Sequence, residues 1–86
     1  MHISSTEYID ETARMVMLAF RAFGVEAGQV LLYNDLFRFL DDHADHYRDW
    51  LRDAEQVLRH ESLIAPDPEG LRLTEIGHRA VHNRRS

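Results

Sequence analysis

The two prolines of this 86-residue chain stand at 66 and 68, inside the run Leu63-Ile-Ala-Pro-Asp-Pro-Glu-Gly-Leu-Arg-Leu73. Proline lacks a backbone N–H and fixes φ, so a helix cannot run through this stretch. Pro66-Asp-Pro-Glu-Gly70 is a dense turn signal, and the short apolar runs Leu63-Ile-Ala65 and Leu71-Arg-Leu73 flank it. That pattern predicts a β-hairpin, with Gly70 supplying a positive φ at its turn. Strands this short cannot form an independent sheet. They must pack on helices, and the rest of the chain has to provide them.

The remaining patterns are mostly helical. Residues 5–23 carry Ile9, Ala13, Val16, Phe20 and Phe23 at 4-3-4-3 spacing, one apolar stripe, which Met15, Leu18, Ala19 and Ala22 widen. Ser4-Ser5-Thr6-Glu7 reads as a capping box before this helix and Gly24 as its C′ residue. Gln29-Val-Leu-Leu-Tyr33 reads as a short strand. A second helix over 35–42, capped by Asn34 or Asp35, carries Leu36, Phe37, Phe39 and Leu40. A third over 45–61 places Tyr47, Leu51, Ala54 and Leu58 on one face, with Trp50 and Val57 beside them. After the hairpin, Thr74 caps a last helix over 75–84, with Ile76, Ala80 and Val81 facing inward. The predicted fold is one domain over 1–86, mainly α with a small β-hairpin, in the order α, short β, α, α, hairpin, α.

Composition narrows the function more than it defines it. Cysteine and lysine are absent, and ten arginines against 15 acids leave a net charge of −5. No disulfide can staple the core, so apolar packing, alone or against a second copy, must hold it. The absence of Cys fits a reducing compartment, and residues 1–6 show no signal-peptide pattern, so a cytoplasmic location is expected. The longest apolar run, over 15–20, is far short of a membrane span. No nucleophile motif, phosphate-cradling glycine loop or facing carboxylate pair points to catalysis, and an enzyme is not expected. His43 and His46, and His78 and His82, have spacings that can share a helix face, but no third ligand is evident; neither a metal nor a cofactor is expected.

From Gln29 to Val81 the chain resembles the winged helix-turn-helix domains of bacterial regulators of the MarR and PadR type. The most specific segment is Ser62 to Val81: hydrophobic strand, Gly-containing turn, apolar return strand, then Leu73-Thr-Glu-Ile-Gly77 at a helix start. The resemblance implies a 29–81 winged-helix core behind an N-terminal helix over 1–24. It also implies that the 45–61 helix enters the DNA major groove while the wing, 66–72, lies along a phosphate backbone. Carried over by position, the DNA contacts would be His46, Arg48, Arg52 and Arg72, and Arg59 shares the Arg48/Arg52 flank. Regulators of this kind act as two-fold dimers, so a homodimer is implied as well.

The charges of the same helix support a second reading. Asp49 and Asp53 form its other flank, with Asp45 between the two near the tip. Asp67 and Glu69 sit at the predicted wing, and residues 35–61 hold eight acids against four arginines. Phosphates would repel such a surface. The alternative is an acidic protein-interaction module in which Asp45, Asp49 and Asp53 engage a basic protein partner.

Overall fold

The computed structural model describes residues 5–82. Its elements are α1 (Ser5–Ala22), β1 (Val30–Leu32), α2 (Tyr33–His43), α3 (His46–Asp49), α4 (Leu51–His60), β2 (Ile64–Asp67), β3 (Gly70–Leu73) and α5 (Glu75–His82). The chain is thus mainly helical with a small three-stranded antiparallel sheet.

Helix α1 is the centre of the packing and touches α2, α4 and α5. Its inner face is Ala13, Val16, Ala19 and Phe20, together with Thr12, whose buried hydroxyl donates to the Tyr8 carbonyl at 2.7 Å. The helix ends as expected at Gly24, where φ is +63°. Gly24 N–H donates to the Arg21 carbonyl and Val25 N–H to that of Phe20, at 3.1 and 3.0 Å. This is a Schellman closure, and the burial of both Phe20 and Val25 supplies its hydrophobic contact. Phe23 lies past the end of the helix and is 47% exposed, so it leaves the predicted stripe. The Ser4 side of the expected capping box lies outside the described residues.

The sheet is larger than the hairpin expected from sequence. β1 pairs with β3 through Val30↔Arg72, Leu31↔Leu71 and Leu32↔Gly70. β3 also pairs with β2, from Ile64↔Leu73 to Asp67↔Gly70, so the strand order is β1-β3-β2. Pro66 is accommodated because β2 is an edge strand. Leu31, Ile64, Leu71 and Leu73 point into the core. The hairpin turn is shorter than predicted, with only Pro68 and Glu69 between paired residues. Gly70 has no positive φ. Its role is steric: a Cβ there would overlap the Leu31 carbonyl oxygen and stand 2.9 Å from Leu32 Cα.

Two helix boundaries and one inward face also differ. α2 begins at Tyr33, directly after β1, and neither Asn34 nor Asp35 caps it. Glu69 of the hairpin instead accepts the Tyr33 N–H at 3.0 Å, so a tertiary bond replaces the local cap. The predicted 45–61 helix is interrupted at Trp50, whose φ and ψ are −105° and 5°. On α5, Gly77 and Val81 face inward, whereas Ile76 is 52% exposed and Ala80 is exposed. Thr74 does cap α5, its Oγ1 accepting the Gly77 N–H at 2.9 Å. A Cβ on Gly77 would overlap the Leu63 carbonyl oxygen, which holds α5 close to the start of β2.

A second Schellman closure ends α4: Ser62 N–H donates to Arg59 and Leu63 N–H to Leu58, at 3.0 and 2.9 Å. Ser62 occupies the left-handed position with φ +65°, where an L side chain is strained. Ser62→Gly is therefore expected to stabilise the fold by about 0.5–1 kcal/mol, the strain relief exceeding the entropy cost of a new glycine. Gly70→Ala should destabilise it by about 1–3 kcal/mol or more, since backbone must move to admit the methyl group. Urea unfolding curves of the two variants would show midpoints displaced in opposite directions.

Candidate nucleic-acid interface

The residues predicted for DNA contact divide into two groups. Arg48, on α3, is committed to α2: its Nη1 meets Asp41 Oδ2 at 3.1 Å, and its guanidinium lies 4.3 Å from the centre of the Phe37 ring. Arg72, on β3, is held at both ends. Its Nη2 donates to Asp67 Oδ1 at 2.8 Å and its Nη1 to the Gly28 carbonyl at 2.7 Å. It clamps the loop before β1 to the hairpin. His46 belongs to an aromatic group, with its ring centre 5.9 Å from that of Tyr8 and 4.5 Å from that of Tyr47.

That aromatic group fixes α3 to α1. Tyr8 stacks on Trp50, with ring centres 5.4 Å apart and 3° between planes, and the buried Tyr47 hydroxyl donates to Glu11 Oε2 at 2.6 Å. Trp50 and Tyr47 are thus packing residues. The bond to Glu11 and burial together raise the Tyr47 phenol above its ordinary value, which keeps it a donor.

Arg52 and Arg59 are placed differently. Both are exposed on α4, and neither is within salt-bridge distance of a carboxylate among the described residues, although both act electrostatically on Glu55. Leu51, Ala54 and Leu58 point inward. At roughly 100° per residue the outward midline then passes between Gln56 and His60, with Arg52 on one side of it, Asp53 on the other, and Arg59 further round on the Arg52 side. Gln56, also exposed, forms a line with Arg52 and Arg59 and was not foreseen. Its signal was its spacing, four residues after Arg52 and three before Arg59. A continuous 45–61 helix drew attention to Arg48 as the third member instead, and the break at Trp50 removes it.

Beside this line is an open groove of about 680 Å³, lined by Tyr33 and Phe37 of α2 and by Arg48, Asp49, Arg52, Asp53 and Glu55 among others. Asp49 ends α3 and Asp53 lies in the first turn of α4, both exposed, while Asp45 directly precedes α3. The acidic residues therefore border the arginine line at its N-terminal end. Glu55 is half-buried, and burial pushes its carboxyl above the usual range, against the lowering effect of Arg59, the Tyr33 hydroxyl and Arg52. Burial, then the Glu55 carboxylate, raise the Tyr33 phenol in turn.

The hairpin does not project as a long wing. Its tip carries Asp67 and Glu69, and the bond from Tyr33 ties it back to α2. The rings of His78 and His82 are 4.3 Å apart between centres and tilted by 47°, but no group of three or more metal-binding side chains occurs among the described residues. None of the described helices is long and apolar enough to cross a membrane. Comparisons with protein families, curated proteins and solved structures find no match for this chain.

The elevated carboxyl of Glu55 has a pH consequence. A raised folded-state value means that the native protein prefers the protonated acid, so this contribution to stability is present at low pH and lost as pH rises through the folded value. Glu55→Gln should therefore stabilise the protein at pH 7. The advantage should shrink on acidification and vanish below pH 4.5, the ordinary carboxyl value, where both states are protonated. Thermal melts at a series of pH values would show the wild-type and variant curves converging on the acid side.

Proposed function

We propose that the chain is a winged helix-turn-helix module that binds double-stranded DNA through α4, as a small transcriptional regulator. The observation that carries this reading is the outward line Arg52–Gln56–Arg59 on a helix whose other face is buried in the core. Arginine pairs two-pronged with guanine and glutamine with adenine in the major groove, so the line has the donors and acceptors that base recognition requires. The connectivity supports the same reading: a strand, a helical pair with a tight turn between, and a hairpin whose return strand lies centrally between the other two. Binding falls to α4 alone, because Arg48 and Arg72 are engaged within the protein and the hairpin tip is acidic.

The second reading, an acidic docking module for a basic protein, is favoured by those same engaged arginines together with Asp45, Asp49, Asp53, Asp67 and Glu69. One substitution separates the two. For DNA binding, Asp49→Lys removes a repulsive charge at the leading end of α4 and should tighten the complex, whereas for acidic docking it should abolish capture of the partner. In fluorescence anisotropy with a duplex at low salt, Arg52→Ala should weaken binding by roughly 1–3 kcal/mol, about five- to 150-fold. Raising the salt should weaken it in the wild type. An absence of duplex binding at micromolar protein and low salt would overturn the DNA reading and leave the docking one.

A further inference from the structure

Two histidine pairs in the sequence have spacings that can share a helix face, and the fold keeps one of them together. His43 and His46 fall on separate helices, α2 and α3. His43 donates through Nδ1 to the Phe39 carbonyl at 2.8 Å and lies against the Phe39 ring, while His46 lies against the rings of Tyr8 and Tyr47. His78 and His82, in contrast, stand one turn apart on α5 and face the same side. His78 is half-buried and His82 exposed. Among the described residues no side-chain hydrogen bond or ion pair engages either ring.

The separation of the two rings has a chemical meaning. A divalent metal ion stands about 2.0 Å from an imidazole nitrogen that binds it, and so about 3.2 Å from the ring centre. Two imidazoles at adjacent corners of a square or an octahedron then have centres about 4.5 Å apart, whereas a tetrahedral angle spreads them to about 5.2 Å. The observed 4.3 Å matches the right-angled arrangement. The pair is also held before an ion arrives. Thr74 caps the start of α5, and the inward Gly77 and Val81 fix its rotation. His82 stands in the last turn, where the unpaired carbonyl groups favour a cation. Glu75 lies on the same side of the helix, one turn before His78, and adds a negative charge without entering the pair.

We propose that His78 and His82 form a two-histidine chelate for a divalent transition-metal ion of tetragonal geometry, of the Cu(II) or Ni(II) class, with water at its other positions. Such ions select nitrogen and oxygen ligands at right angles, and a chelating pair does not need the three or four protein ligands of a zinc site. The ion ties together one turn of an eight-residue helix that is too short to persist without its packing. Because the native pair binds more tightly than the unfolded chain, the ion also stabilises the contact of α5 with α1. The site is independent of what α4 binds.

Calorimetric titration of the full chain with Cu(II) in a non-coordinating buffer at neutral pH, together with electron paramagnetic resonance, tests the assignment. The wild type should take up a saturable equivalent whose spectrum is tetragonal and coupled to two imidazole nitrogens. His78→Ala and His82→Ala should each weaken that equivalent roughly a hundredfold, because a single imidazole loses the chelate. His43→Ala should leave it unchanged. Ni(II) should bind through the same two residues less tightly than Cu(II). Saturating Cu(II) should raise the thermal midpoint of the wild type and leave that of the doubly substituted chain in place. Circular dichroism without metal should show native helix content for His82→Ala, whose position is exposed. A wild type that binds no Cu(II) at 100 µM, a spectrum with one coupled nitrogen, or a His82→Ala variant that binds as many equivalents with the same affinity would each overturn the proposal.

Discussion

The architecture depends on how closely the backbones of β1 and β3 approach at Gly70. A Cβ at that position would fall on the Leu31 carbonyl oxygen, so only glycine lets the first strand seat across the hairpin. This seating makes β3 the central strand and turns a marginal two-stranded ribbon into a three-stranded sheet with one buried face. It also brings Glu69 to the N-terminus of α2, where its carbonyl takes the place of a capping side chain. The position of α2 follows from this contact between parts of the chain that are distant in sequence.

Features governed by local chemistry were legible in the sequence. Gly24 ends α1 through a positive φ, Thr74 caps α5, and the proline-rich turn forms a hairpin, because each depends on its neighbours in the chain. The inner residues of α1, α2 and α4 were readable from their spacing for the same reason. What local pattern could not reveal was tertiary approach. Gly70 was expected to serve its own φ, yet it serves Leu31. Ile76 fits an inward helical position by spacing, but Gly77 and Val81 are the residues that face the core. The break at Trp50 coincides with the stack on Tyr8, 42 positions earlier in the chain, and no periodicity within 45–61 signals it.

The same distinction governs the candidate site. Charge counts in the sequence treated all arginines as equally available. In the fold, Arg48 and Arg72 are spent on Asp41 and Asp67, and the rings Phe37, Tyr8 and Tyr47 occupy Arg48 and His46. Arg52 and Arg59 are left on the outward face, with the uncharged Gln56 between them. An overall charge of −5 is therefore compatible with a narrow line able to contact a polyanion, provided the acids at its leading end are kept from the phosphates.

Chemical-shift mapping of the ¹⁵N-labelled protein during addition of a short DNA duplex at low salt tests the role of α4 most directly, because it reports every position at once. Docking through this helix predicts the largest shifts at the amides of Arg52, Gln56 and Arg59 and at the side-chain N–H groups of the same three residues, with Asp67 to Gly70 nearly unmoved. Shifts that spread evenly, centre on the hairpin tip or fail to appear would contradict it.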